Sequence, residues 1–237
     1  MYPKKDIVLK TVFLKPINNM NYLKEGKDFN FSIFNAQVIQ QEPLPESVNL
    51  NRIIMTLEDK IPYHLVEDLE SVYIGDFPFL KERDLNALYE DGNIYISNEQ
   101  DGEEDLIDDV VHELAHCVED GYGMDLYADR SIEEEFLVKR ERLQIILGQE
   151  GHDEIDPEFF MDPDYNRDFD EYLYIAVGYP KLTTLTNGLF VSPYGATSLR
   201  EYFANVFEEV YARDNFENAR AISPAVFKKI QIISSLE

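Results

Sequence analysis

The chain has 237 residues, 44% hydrophobic and 29% charged, with 15 Phe and 15 Tyr, a composition that supports a packed core and excludes a disordered chain. Its length suits one large domain or two small ones. A formal net charge of −26 repels phosphate backbones and so excludes nucleic-acid binding through a basic face; it leaves a well-solvated surface or an acidic cleft suited to basic peptide segments.

The opening stretch, "MYPKKDIVLKTVFLKP", has lysines but neither an uninterrupted apolar core nor a small-residue cleavage site. It reads as a strand rather than a signal peptide. No run reaches the ~18 apolar residues of a membrane-spanning helix. The expected setting is the cytoplasm or a particle such as a virion, without membrane or nucleic-acid partners.

"DIVLKTVFL" and "FNFSIFNAQVI" cluster β-branched and aromatic residues as strands do. "NRIIMTL" is a short buried-type run, "IPYHLVEDLE" reads as a helix, and "SVYIGDF" returns to strand. In "NALYEDGNIYIS", Asp91-Gly92 between two strand-like runs predicts a tight hairpin, because Gly supplies positive φ. Ile94 and Ile96 share one face and Tyr95 takes the other.

A helix follows between Asp105 and Glu119. Its apolar residues Leu106, Ile107, Val110, Val111, Leu114 and Val118 recur at three-and-four spacing. His112 and His116 lie one turn apart on the face opposite this stripe, with Glu113 on the flank. Imidazoles at i and i+4 can both reach one Zn²⁺ at ~2.0–2.1 Å, and the glutamate between them is placed to take a proton from water there. The competing reading is two surface histidines, and a chance match to this pattern occurs in about one such chain per hundred. A metzincin would continue with Gly and His where Glu119 and Tyr122 stand. His64 and His152 have no supporting pattern and read as lone structural or surface residues. Cys117, the only cysteine, rules out an intrachain disulfide framework and reads as helix packing.

"SIEEEFLVKRERLQIILG" is expected to be a helix started by a Ser131/Glu134 capping box and stopped by Gly148. An acidic loop, "QEGHDEIDPEFFMDPDYNRD", precedes a helix in "FDEYLYIAVG". A final helical segment begins near Ser198. Its apolar stripe is Tyr202, Phe203, Val206, Phe207 and Val210, with Glu201 and Asn205 opposite. Glu201 reads equally as a capping-box residue with Ser198 or as a third metal ligand. Tyr194 sits in a "SPYG" turn. No repeat or linker is found, so the expected architecture is α+β: a single domain, 1–237, in which residues 1–100 are β-rich and residues 101–237 are helical and carry the site.

"HELAHCVED" together with "SPYGATSLREYFANVF" resembles the catalytic domain of the anthrax lethal factor family of zinc metallopeptidases, which includes the Pro-Pro endopeptidases. The similarity covers about Asn93 to Asp120 and about Leu189 to Tyr211. "GNIYIS" resembles the family's edge strand before the motif helix. The resemblance implies a zincin-like fold and a zinc endopeptidase, with Zn²⁺ on His112, His116 and Glu201, Glu113 as general base and Tyr194 as hydrogen-bond donor to the oxyanion. It implies that Asp120 orients a ligand or the helix. Asn205 stands where the family has an acidic residue; if that residue orients an imidazole, an amide holds it less strongly. The implied partner is a peptide or protein substrate, which the strand Asn93 to Ser97 would pair with edge to edge. Residues 131–188 have no counterpart in the resemblance, and their length suits a lineage-specific insertion. The alternatives are a catalytically silent zincin-like binding module and an acidic protein that masks a basic partner without metal.

Overall fold

The computed structural model describes residues 31–236, so the strand expected in "DIVLKTVFL" and the start of that in "FNFSIFNAQVI" lie outside the described residues. The described residues divide into two compact units, 31–121 and 122–236. The architecture is α+β: a mixed five-stranded sheet in the first unit and helices through the remainder.

In the N-terminal unit, β1 (Phe31–Ile33) and β2 (Ala36–Gln40) form a hairpin turned at Phe34 and Asn35, both at positive φ. Then come α1 (Leu50–Lys60), a 3₁₀ turn (Tyr63–Val66), β3 (Ser71–Gly75) and α2 (Pro78–Arg83). The hairpin β4 (Ala87–Glu90) and β5 (Asn93–Ser97) follows. Strand order is β1-β2-β3-β5-β4, with β2/β3 and β3/β5 parallel and both hairpins antiparallel. Asp91 and Gly92 turn the second hairpin at φ 49° and 78°, as a two-residue primed turn requires. Val72, Ile74, Ile94 and Ile96 bury one face of the sheet, while Tyr73 and Tyr95 stack on the other with ring centroids 5.1 Å apart.

Three expectations change here. "NRIIMTL" lies inside α1, where Ile53, Ile54 and Leu57 make the buried helical face and the Asn49 side chain accepts the N–H of Arg52. "IPYHLVEDLE" keeps only the 3₁₀ turn, since Pro62 forces Ile61 into extended backbone (ψ 122°) and ends α1. The strand Asn93–Ser97 is not an edge. It pairs with β3 on one side and β4 on the other, so its main-chain groups are taken, and among the described residues the strand at that end of the sheet is β4.

Helix α3 (Glu103–Tyr127) carries the histidine motif. Every residue from Asp109 to Glu119 is buried, the histidine face included, in place of the expected two-faced helix.

In the C-terminal unit, α4 (Ser131–Gln149) starts with Arg130 as its cap. The Ser131/Glu134 box does not form, because the Ser131 hydroxyl and N–H both turn back to Asp129 Oδ1. The helix runs past Gly148 and stops at Gly151, at φ 83°. There the His152 N–H donates to Leu147 O at 2.9 Å and the Gly151 N–H to Gly148 O at 3.2 Å, the paired bonds of a Schellman stop. The acidic loop contains a 3₁₀ turn (Pro157–Met161), and α5 (Arg167–Glu171) passes through a π-helical stretch (Tyr172–Gly178) into α6 (Tyr179–Leu185). The final helical segment is three helices: α7 (Leu199–Tyr211), α8 (Phe216–Ile222) and α9 (Pro224–Ser234). Phe136, Phe190 and Tyr202 form the aromatic centre beneath α4 and α7, with ring centroids 5.5–6.4 Å apart.

Candidate metal centre

In the N-terminal unit, His112 and His116 are 1% and 2% exposed. Their rings lie edge to face, 5.2 Å apart at 81°. Such rings would be costly to bury on an apolar helix unless polar partners or a metal met them. One partner is Glu119, whose Oε2 lies 2.8 Å from His116 Nδ1 with both side chains buried. Sequence reasoning missed Glu119. The available signal was its position three residues after His116, on the neighbouring helical row.

Glu113, between the histidines, is 2% exposed, and its Oε2 accepts the Tyr89 N–H at 2.7 Å. This bond gives one main-chain donor of β4 an acceptor and fixes the glutamate at the same time. Asp109, one turn before Glu113, accepts from Gln100 Nε2 at 3.1 Å. Burial pushes the Asp109 carboxyl well above its usual range; Gln100 opposes the shift, and the charges of Asp105 and Glu113 add to it.

Asp120 faces outward and hydrogen-bonds the Tyr89 phenol. It therefore ties α3 to β4, whereas the carboxylate set against a motif imidazole is Glu119. Burial raises the Tyr89 phenol, and the neighbouring Cys117 and Asp120 raise it further. Burial also pushes the Cys117 thiol up to about 11, so it stays protonated at neutral pH and packs as expected. His64 lies in the 3₁₀ turn Tyr63–Val66.

In the C-terminal unit, Tyr194 occupies a 3₁₀ turn, Pro193–Ala196, and is 8% exposed. Its carbonyl accepts both the Thr197 N–H (2.9 Å) and the Thr197 hydroxyl (2.8 Å). Ser198 caps α7, its hydroxyl oxygen accepting the Glu201 N–H at 3.2 Å, and the Leu199 N–H donates to Pro163 O at 2.8 Å. Glu201 is 1% exposed, and every residue of α7 from it to Tyr211 is buried. Asn205 is buried too; its Oδ1 accepts the Ser192 hydroxyl, and a Cβ added at Gly195 would meet it at 3.6 Å. Asn205 therefore braces the Tyr194 turn.

Residues 131–188 contribute directly to this half. Arg140 donates to the carbonyls of Ala196 and Thr197, and Lys139 Nζ to those of Leu189 and Ile222, each at 2.6 Å. The Tyr165 hydroxyl donates to the buried Asp170 carboxylate at 2.9 Å. Burial raises the Tyr165 phenol, and the charges of Asp170 and Glu201 raise it further. His152 Nε2 lies 3.0 Å from Lys181 Nζ. Compared with protein-family models, curated proteins and solved structures, the chain matches none.

Proposed function

We propose that the protein is a zinc-dependent endopeptidase of zincin type, similar to the lethal factor family, in which His112, His116 and Glu201 hold Zn²⁺. The observation that carries this reading is the buried pair of imidazoles one turn apart on α3, with Glu113 fixed between them. Two imidazoles and a carboxylate are a donor set that suits zinc and leaves a position open. With Nδ1 of His116 set against Glu119, Nε2 is its ligating nitrogen.

Bound zinc supplies Lewis acidity and lowers the pKa of water to ~7. Glu113 takes the water proton as general base during attack on the peptide carbonyl, then delivers it to the leaving amine. The Tyr89 N–H donates to Glu113 Oε2 and fixes the carboxylate in place. Tyr194 donates a hydrogen bond as negative charge develops on the carbonyl oxygen. The charge of −26 favours substrates with basic segments near the cleaved bond.

Metal analysis of purified protein, and incubation with a peptide library of wild type beside Glu113→Gln, test this reading. One zinc per chain and cleavage lost in the variant are expected. Absence of zinc, or cleavage that survives Glu113→Gln, overturns it. A catalytically silent zincin-like module is the second reading, favoured by the amide at Asn205 where relatives of the resembled family carry an acid; it binds zinc and cleaves nothing.

A further inference from the structure

Arg140 is 1% exposed, and among the described residues its hydrogen bonds all go to main-chain carbonyls. Nη1 donates to Ala196 O at 2.7 Å and Thr197 O at 3.2 Å. Nη2 donates to Phe159 O and, at 3.4 Å, to Asp162 O. The guanidinium lies over the Phe169 ring, 4.0 Å from its centroid. Burying a cation is costly, and here the cost is offset by carbonyls that two irregular segments would otherwise leave unsatisfied and by the charge of Asp162.

Those segments are the 3₁₀ turn of the acidic loop and the link between the Tyr194 turn and the cap of α7. Asn205 and Ser192 hold the entry to the Tyr194 turn, and Arg140 holds its exit. A planar fork with five donors spans two loops; the ammonium of lysine, a single point with three donors, does not. Burial draws the guanidinium pKa down to about 9, so it remains a cation at neutral pH.

We infer that Arg140 is a positioning residue: it fixes the Pro193–Ala196 turn and thereby the place of the Tyr194 hydroxyl. Its catalytic consequence rests on the peptidase reading above; the clamp itself does not. The test compares wild type, Arg140→Lys, Tyr194→Phe and the double variant, using the best-cleaved member of a quenched-fluorescent peptide library. Amide hydrogen exchange is followed in the same proteins.

Arg140→Lys is expected to lower kcat about tenfold or more, with KM changed less than about twofold. Zinc per chain stays constant. In the Tyr194→Phe background the same change alters kcat less than about twofold, because the group it positions is gone. Amides of residues 194–198 exchange about tenfold faster or more, while those of α9 keep their rates. Equal losses in both backgrounds, or unchanged exchange at residues 194–198, overturn the inference. If Arg140→Lys fails to fold by circular dichroism, Arg140→Gln carries the same comparison. A wild-type chain that cleaves nothing ends the peptidase reading and the catalytic role of Arg140, and amide exchange then decides the clamp by itself.

Discussion

Glu119 Oε2 sits 2.8 Å from His116 Nδ1, and both side chains are buried on α3. A carboxylate on the far nitrogen of an imidazole fixes ring orientation and raises its basicity as a ligand. Glu119→Gln is therefore expected to weaken zinc binding by about 10- to 100-fold. Competition with a chromophoric chelator measures it; unchanged affinity would show that the pair serves packing alone.

Glu113→Gln keeps an acceptor for the Tyr89 N–H and removes only the base. Hydrolysis should fall by about 10²- to 10⁴-fold while zinc content holds at the wild-type level. Loss of both together would mean that Glu113 supports the helix rather than the reaction. Rate assays on metal-analysed samples separate the two.

Lys139 is 8% exposed, and burial lowers its ammonium from 10.5 to about 8. The folded form thus binds the proton less tightly than the unfolded chain, so burying the charge weakens the fold at pH below about 8. Stability gains as pH rises from about 8 to 10.5, by on the order of 3 kcal/mol. Urea unfolding of wild type and Lys139→Met across that window should show a steeper rise in wild type than in the variant, where only the part due to other groups such as Arg140 remains. Parallel pH profiles would refute the assignment.

Gly92 lies at φ 78°, and an added Cβ would meet Glu70 Cγ at 3.1 Å and Asp68 O at 3.2 Å. Gly92→Ala combines left-handed strain with a contact to main chain, which yields little. A loss of about 1–3 kcal/mol is expected from denaturant unfolding. A neutral result would mean that the hairpin turn relaxes without disturbing β3.

Local chemistry made some of this structure readable. Asp91-Gly92 announces its hairpin because few other pairs accept two positive φ angles. The motif helix shows through spacing alone. Ser198 was legible as the cap of α7, and Tyr194 as a turn residue. What stayed hidden depends on groups far apart in the chain. Nothing near Asn93 tells that β3 will take the inner side of β5. Arg140 reads as one more charge on a helix until the carbonyls of Ala196 and Phe159 are seen around it. Periodicity separates apolar from polar faces, but not a solvated polar face from a buried one, and so spacing alone does not tell that the histidine face of α3 is buried. Asn49 is a local cap signal for α1, and Gly151, just beyond Gly148, is the glycine whose positive φ ends α4.

Cys117 is the sole thiol of the chain and is 1% exposed, next to His116 on α3. A thiol-specific dye can reach it only when this stretch of the helix opens. Labelling kinetics therefore time a local unfolding event at one known place, without any engineered probe. Zinc should slow that clock in proportion to how tightly it is held, which makes the native cysteine a gauge of metal occupancy independent of any substrate.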